Sequence, residues 1–234
     1  MKRLLLMGAC LLLASCRGVP TNEPTEPAPE GTAYPITLEY RLTISNADHE
    51  AELLAAATRT VERRLEYFGM KHGEIEVTPD NIMRVGVNNA SGAVVLTERL
   101  TEPFSIRFMR EVGVEEARTT PGGLVVAEEQ GFVDTGLTEE HLDWISEETV
   151  EIKSRVTLGL TSEGRRLKER IFQEQMGKNI GIFVRNQPVF KITVQQDDLT
   201  TADVVIMIPD PVLSPVFVDD LNVSKHVTFI PVAS

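Results

Sequence analysis

Between residues 150 and 194 the hydrophobic period of the chain changes twice, and few folds accommodate that order. Val150, Ile152, Val156, Leu158 and Leu160 share one parity while Glu151, Lys153, Arg155 and Thr157 share the other, which predicts a strand with one wet face. A helical period follows. Thr161 or Ser162 caps it, Leu167 and Ile171 stand one turn apart on its inner face, and Gly177 supplies the positive φ that ends it. Ile180, Ile182 and Val184 then alternate outward to a turn at Asn186-Gln187. Phe190, Ile192 and Val194 alternate back, with Pro188 tolerated because it opens its strand. The order is β-α-β-β.

An earlier segment repeats the logic at greater length. Ile36, Leu38, Tyr40, Leu42 and Ile44 alternate with polar residues, so a strand is expected there. Ser45 or Asn46 then caps a helix whose inner stripe is Leu54, Ala57, Val61, Leu65 and Phe68, with Arg59, Glu62, Arg63 and Glu66 toward water and Gly69 as its stop. Strands at 74–78 and 82–87 flank a turn at Pro79-Asp80-Asn81. Ser91 caps a shorter helix through Val94, Val95 and Leu100, and Phe104, Ile106 and Phe108 form a final strand. This β-α-β-β-α-β order is the ferredoxin-like split βαβ pattern. The expected fold class is therefore α+β, with a ferredoxin-like base over residues 36–111 followed by a β-α-β-β head subdomain within 112–234. Beyond the head, a strand at 204–208, a short helix at 215–221 and a last strand at 226–232 are expected.

The N-terminus carries a different kind of signal. Lys2 and Arg3 precede an apolar run at 4–13, too short for a bilayer core that takes about 20 helical residues. Leu13-Ala14-Ser15-Cys16 follows and looks like a bacterial lipobox, so residues 1–15 are expected to be a lipoprotein signal peptide and Cys16 the lipidated residue. Residues 16–35 then form a tether, with prolines at 20, 24, 27, 29 and 35 among acidic residues and little apolar surface to bury. Arg17 replaces the Asp that often marks inner-membrane retention; both membranes stay open, with the outer one favoured. The expected location is the bacterial cell envelope, the folded part in the periplasm.

Cys10 leaves with the signal peptide, so Cys16 is the one cysteine of the expected mature chain and no disulfide, thiol nucleophile or cysteine-ligated zinc is available. A net charge of −12 and a pI near 4.9 disfavour nucleic acid and anionic membrane, so the membrane is reached through the lipid alone. His49, His72, His141 and His226 are scattered without metal-ligand spacing, so no metal is expected. Ser91 and Ser162 lack a nucleophile elbow and suit caps. The neighbouring carboxylates Asp197-Asp198 and Asp219-Asp220 suit solvated turns and caps better than acid–base pairs, since adjacent positions point apart. Gly122-Gly123 reads as a turn, not a phosphate loop. Arg165, Arg166, Lys168 and Arg170 make a diluted basic helix face, and Trp144 belongs to the core or to a subdomain seam. No catalytic residue and no cofactor is expected, and the protein is read as a non-enzyme.

Four stretches resemble one known family in order. Leu160-Thr161-Ser162-Glu163-Gly164 at the helix start and Gly177-Lys178-Asn179-Ile180-Gly181-Ile182 after it are similar to the head of the first periplasmic region of SecD, the protein-export membrane subunit. Arg63-Arg64-Leu65-Glu66-Tyr67-Phe68-Gly69 and the 100–108 run resemble the base of that region. The family's membrane-spanning helices have no counterpart here. The resemblance implies a polypeptide-binding or protein-export accessory module whose partners are unfolded or extended polypeptide, or components of the export machinery. The alternative is a scaffold lipoprotein that holds a folded envelope partner. The candidate polypeptide-binding residues are Phe190, Ile192 and Val194, whose strand would offer main-chain groups if it lay at a sheet edge. Residues 203–208 supply a potential neighbour, so a central strand is the expectation.

Overall fold

The computed structural model describes residues 34–127, 129–150 and 152–232; the expected signal peptide, Cys16 and nearly all of the expected tether lie outside them. Strand β1 (Ile36–Ile44) alternates as expected, burying Tyr40 and Leu42 and exposing Thr37, Arg41 and Thr43. A 3-10 turn at Ala47–His49 runs into α1 (Glu50–Tyr67), and neither proposed cap serves it. Asn46 makes no side-chain cap, and the Ser45 hydroxyl instead meets Nδ1 of His226 at 3.2 Å. The helix buries Leu53, Ala57, Val61 and Leu65, leaving Leu54 and Phe68 at the margin of the stripe. Gly69, at φ +62°, ends it. Strands β2 (His72–Val77) and β3 (Ile82–Val87) form the expected hairpin, with Asn81 at φ +57°. In α2 (Ala90–Thr101) the cap is Asn89, whose side chain accepts from the Gly92 amide at 3.1 Å, and Ser91 sits exposed in the first turn. Ala93, Leu96 and Leu100 are buried, whereas Val94 and Val95 are exposed.

The largest departure follows. The run through Phe104, Ile106 and Phe108 becomes β4 (Ile106–Val112), which does not return to β1. That place is taken by a strand from the far end of the chain. After β4 come α3 (Val114–Thr119), β5 (Leu124–Ala127), β6 (Gln130–Thr138), β7 (Leu142–Val150) and β8 (Lys153–Leu160). Next are α4 (Ser162–Glu174), β9 (Asn179–Val184), β10 (Gln187–Thr193), α5 (Gln196–Thr200), β11 (Val204–Ile208), α6 (Leu213–His226) and β12 (Val227–Pro231). The base sheet has the order β12-β1-β3-β2, with Tyr40 opposite Pro231 and Ile44 opposite Val227. All three pairings are antiparallel, as in a ferredoxin-like sheet. Sheet membership thus cuts across the expected boundary between 111 and 112. Long closure is tolerable because each doubling of loop length costs only about 0.6 kcal/mol. Helices α1 and α2 cover the apolar face, where the Tyr40 and Thr97 hydroxyls lie 2.7 Å apart.

The head holds a five-stranded sheet, β10-β9-β4-β6-β5, and a three-stranded one, β11-β8-β7. Both feed one core with Ile171 and Phe172 of α4 and Leu221 of α6. Thr161 caps α4 by accepting from the Gly164 amide at 3.1 Å, and Gly177 stands at φ +73°. The predicted first strand is shorter than expected: Val150 belongs to β7, and Ile152 is exposed at the intervening turn. Leu142 and Ile145 both point inward despite a helix-like spacing of three, because a bulge in β7 shifts their register between Leu160 and Leu158. On the outer face of the five-stranded sheet Met109, Phe132 and Phe183 make a second cluster, the two phenylalanine rings edge to face at 5.0 Å. Helix α3 lies so close to β6 that a Cβ on Gly131 would come within 2.6 Å of the Ala117 methyl.

Helix α6 joins the two halves. Asp219 is buried and takes both Nε and Nη2 of Arg59, at 2.9 and 2.7 Å, while Arg63 reaches Asp219 and Asp220 at 3.1 Å each. These arginines do not simply face water, and this carboxylate pair is not a solvated turn. On the head side the Asn222 amide mimics a strand partner, accepting from Ile145 N–H at 3.0 Å and donating to its carbonyl at 2.8 Å. Trp144 is the expected seam residue, stacked on His49 with centroids 3.8 Å apart and tilted against His226 at 5.7 Å.

Candidate functional site

The β9–β10 hairpin turns on Arg185 and Asn186, both at positive φ (+48° and +64°), one residue earlier than the expected Asn186-Gln187 pair. Such a two-residue turn closes on a hydrogen-bonded pair, here Val184 and Gln187. Antiparallel alternation then turns the Pro188 nitrogen away from β9, so no ladder bond is lost. A bulge at Val189 follows before the register resumes with Phe190 opposite Ile182. Beyond it β10 has no second partner among the described strands. The expectation of a central strand is corrected: β11 pairs with β8 in the other sheet, Val204 opposite Leu158 and Ile208 opposite Ser154, and β10 is an edge.

The three predicted binding residues have different fates. Phe190 and Ile192 are half-buried against the head core, Phe190 meeting Phe217 of α6 edge to face at 5.3 Å. Val194 is buried, its N–H donating to Lys178 O at 2.9 Å and its carbonyl accepting from Gly177 at 3.0 Å. It is structural. Because Val194 faces inward, alternation points the backbone of Ile192 toward β9 and that of Lys191 and Thr193 toward the open side. What the edge offers is main chain at Lys191 and Thr193, which the side-chain pattern alone does not single out. The Lys191 ammonium lies 3.5 Å from Glu111, and the Thr193 hydroxyl donates to Asn179 at 2.7 Å. Pro188, the bulge and Lys191 are the devices that keep an edge from indiscriminate pairing. They confine any added strand to a few residues.

The other polar residues singled out in the sequence have structural partners. Lys168 is buried: its ammonium donates to the carbonyls of Asp198 and Thr201, capping the end of α5, and lies 4.7 Å from the Phe172 ring. Burial lowers its pKa, partly offset by Asp198 and Asp203. The basic face loses Arg165 as well, since that guanidinium meets Asp203 at 3.0 Å. Asp198 accepts from the Gln195 amide at 2.7 Å and closes the first turn of α5. His226 donates from Nε2 to the Asp143 carbonyl at 2.7 Å, and burial holds its pKa below the ordinary imidazole value. Among the described residues no group of three or more histidine, cysteine or acidic side chains is placed to hold a metal, and no helix is long and apolar enough to cross a membrane.

No family model matches the sequence, and no curated protein shows significant similarity to it. Among solved structures, SecDF from Thermus thermophilus, a translocon-associated membrane protein, superposes with a TM-score of 0.50 at 15% identity, over 83% of this chain and 30% of that one. A second SecDF structure, of a membrane component that enhances protein export, gives a TM-score of 0.44 at 15% identity, over 85% of this chain and 99% of that one. What this chain shares with the periplasmic region of SecDF is its mixed α+β fold.

Proposed function

We propose that this protein is a lipid-anchored module of the bacterial envelope that makes transient, non-enzymatic contact with extended polypeptide, as an accessory to protein export. The observation that carries the reading is the open edge of β10, with the main-chain groups of Lys191 and Thr193 turned outward beside a strand seated on the head core. Strand addition there draws affinity from backbone hydrogen bonds and makes little demand on client sequence. The guarding proline and bulge keep the added strand short, so contacts are brief, as suits a passing chain rather than a permanent partner. The SecD-like sequence stretches and the shared fold agree with an export setting. The structural partners of Lys168, Asp198, Asp219 and His226 agree with a non-catalytic role.

The test follows from the alternation. Lys191→Pro removes an outward N–H and leaves the ladder to β9 intact, so the variant should fold and lose about tenfold in affinity for an unfolded reporter peptide, the equivalent of about 1.4 kcal/mol. Wild-type affinity in a folded Lys191→Pro protein would sink the edge-strand reading; capture of one stoichiometric folded protein would favour a scaffold instead. The anchor has its own test. Cys16→Ser should move the protein from the membrane to the soluble fraction, and a variant that still sediments with membranes, with no acyl mass on the wild type, would rule the lipid out.

A further inference from the structure

A small cavity of about 130 Å³ lies where the head hairpin meets the base, lined by Arg64, Glu102, Pro103, Phe104, Arg185 and Phe229 among others. Arg64 comes from α1 and donates to the Arg99 carbonyl at 3.1 Å. Arg185 comes from the β9–β10 turn, where its own backbone N–H is tied to Ser105 O at 2.9 Å, so its position is set by the fold rather than by a flexible loop. Its buried Nε finds no hydrogen-bond partner among the described residues. The Glu102 carboxylate stands 3.6 Å from that nitrogen and 3.3 Å from Nη1 of Arg99. One carboxylate therefore serves two guanidiniums, in a chain whose net charge is −12. Burial lowers the Arg64 pKa, with the Arg185 charge acting in the same direction against the pull of Asp220. The buried Arg185 Nε–H, near Glu102 but without a hydrogen bond, in a cavity that a second guanidinium also lines, is a costly arrangement unless something completes it.

We propose that this cavity binds a small oxyanion, the carboxylate of a peptide or a free phosphate, between the guanidiniums of Arg64 and Arg185. Guanidinium groups present paired N–H donors that match either ligand. The space equals that of roughly four waters at about 30 Å³ each, enough for one such group and not for an extended chain. Glu102 is then the internal competitor: its charge is near enough to oppose an incoming anion, and its distance too great to satisfy Arg185. Because the two arginines come from different halves of the molecule, an occupant would cross-link base and head. The site stands apart from the β10 edge reading, since it uses side chains rather than open strand groups.

The experiment uses the full chain and follows thermal unfolding with sodium phosphate against sodium chloride at matched ionic strength. A second arm compares a short peptide bearing a free C-terminal carboxylate with its amidated form. At least one oxyanion should raise Tm in a saturable way beyond its control. Arg64→Gln and Arg185→Gln should each weaken that binding at least about tenfold, and Glu102→Gln should tighten it severalfold. A phosphate response with no difference between the two peptides identifies a free anion as the ligand; a response to the acid peptide over the amide identifies a polypeptide carboxylate. Absence of any oxyanion-specific response, or binding that persists within about twofold in both arginine variants, overturns the proposal. If the arginine variants fail to fold, Glu102→Gln decides alone: unchanged or weaker binding overturns the site.

Discussion

The base and the head bury their sheets differently. In the base, β1 sends Tyr40 and Leu42 inward and Thr37, Arg41 and Thr43 to solvent, and β12 does the same with Phe229 inward and Thr228 and Ile230 exposed. One face is wet along its length. In the head the neighbouring pairs Phe108-Met109 and Ile182-Phe183 are buried together, one residue of each pair facing the main head core and the other the second cluster. That sheet is covered on both sides. Strict alternation is the mark of a one-faced sheet, and adjacent apolar residues in mid-strand are the mark of a sheet packed on both faces. The difference separates the base sheet from the five-stranded head sheet, the three-stranded one alternating as the base does, and the buried Phe108-Met109 pair suits β4 to a sheet packed on both faces.

The strongest way to break this comparison is at the C-terminal strand. Phe229→Ala should cost about 3–5 kcal/mol, as expected for a truncated core aromatic, and Ile230→Ala on the wet face should stay within about 0.5 kcal/mol. Chemical denaturation measures both. Equal losses would deny β12 its one-faced place in the base.

A smaller effect sharpens the joint between the halves. Asp219→Ala removes the carboxylate that holds Arg59 and Arg63 to α6, and should cost about 1.5–3 kcal/mol, the range for hydrogen bonds to a charged group. In a double-mutant cycle with Arg59→Ala the two losses should fall short of additive. Full additivity would mean that the Arg59–Asp219 pair adds nothing to the hold of α1 on α6.

The smallest effect is one of pH. His226 has a folded pKa below its unfolded value because it is buried, its pull upward from the Asp143 carbonyl being outweighed with Lys225 and His49 nearby. The folded state therefore favours the neutral ring, and its contribution is complete above about pH 6.5, the unfolded value. It is lost as pH falls below that toward the folded pKa, because the unfolded chain takes up the proton first. The denaturant midpoint should decline from pH 8 to pH 5 less steeply in His226→Gln than in the wild type. Identical slopes would remove His226 from the seam's pH response.

Much of this was legible locally. The strand Ile36–Ile44, the helix stop at Gly69, the turn at Asn81, the cap at Thr161 and the strand Val204–Ile208 each follow from a period or a residue with special backbone freedom. Misplaced elements were those with a competing local signal. Asn89 stood two residues before the serine that seemed the better cap. The 100–108 run carried the useful warning in Met109, just beyond its apolar alternation.

Sequence by itself determined the α+β class and the helix and hairpin units of 36–101 and 153–194, because these rest on contacts a few residues apart; α3, β5, β6 and most of β7, which carry no such clear period, were not among its expectations. Only the tertiary structure decided that β12 and not β4 completes the base, that β10 rather than β11 is left at the edge of the five-stranded sheet, and that Arg64 and Arg185 line one cavity. Pairing depends on which apolar faces are left uncovered once the helices dock, and closure over a long loop costs little enough to allow distant partners. Alternation repeats every second residue, so it says which face of a strand is buried and is silent about the neighbour.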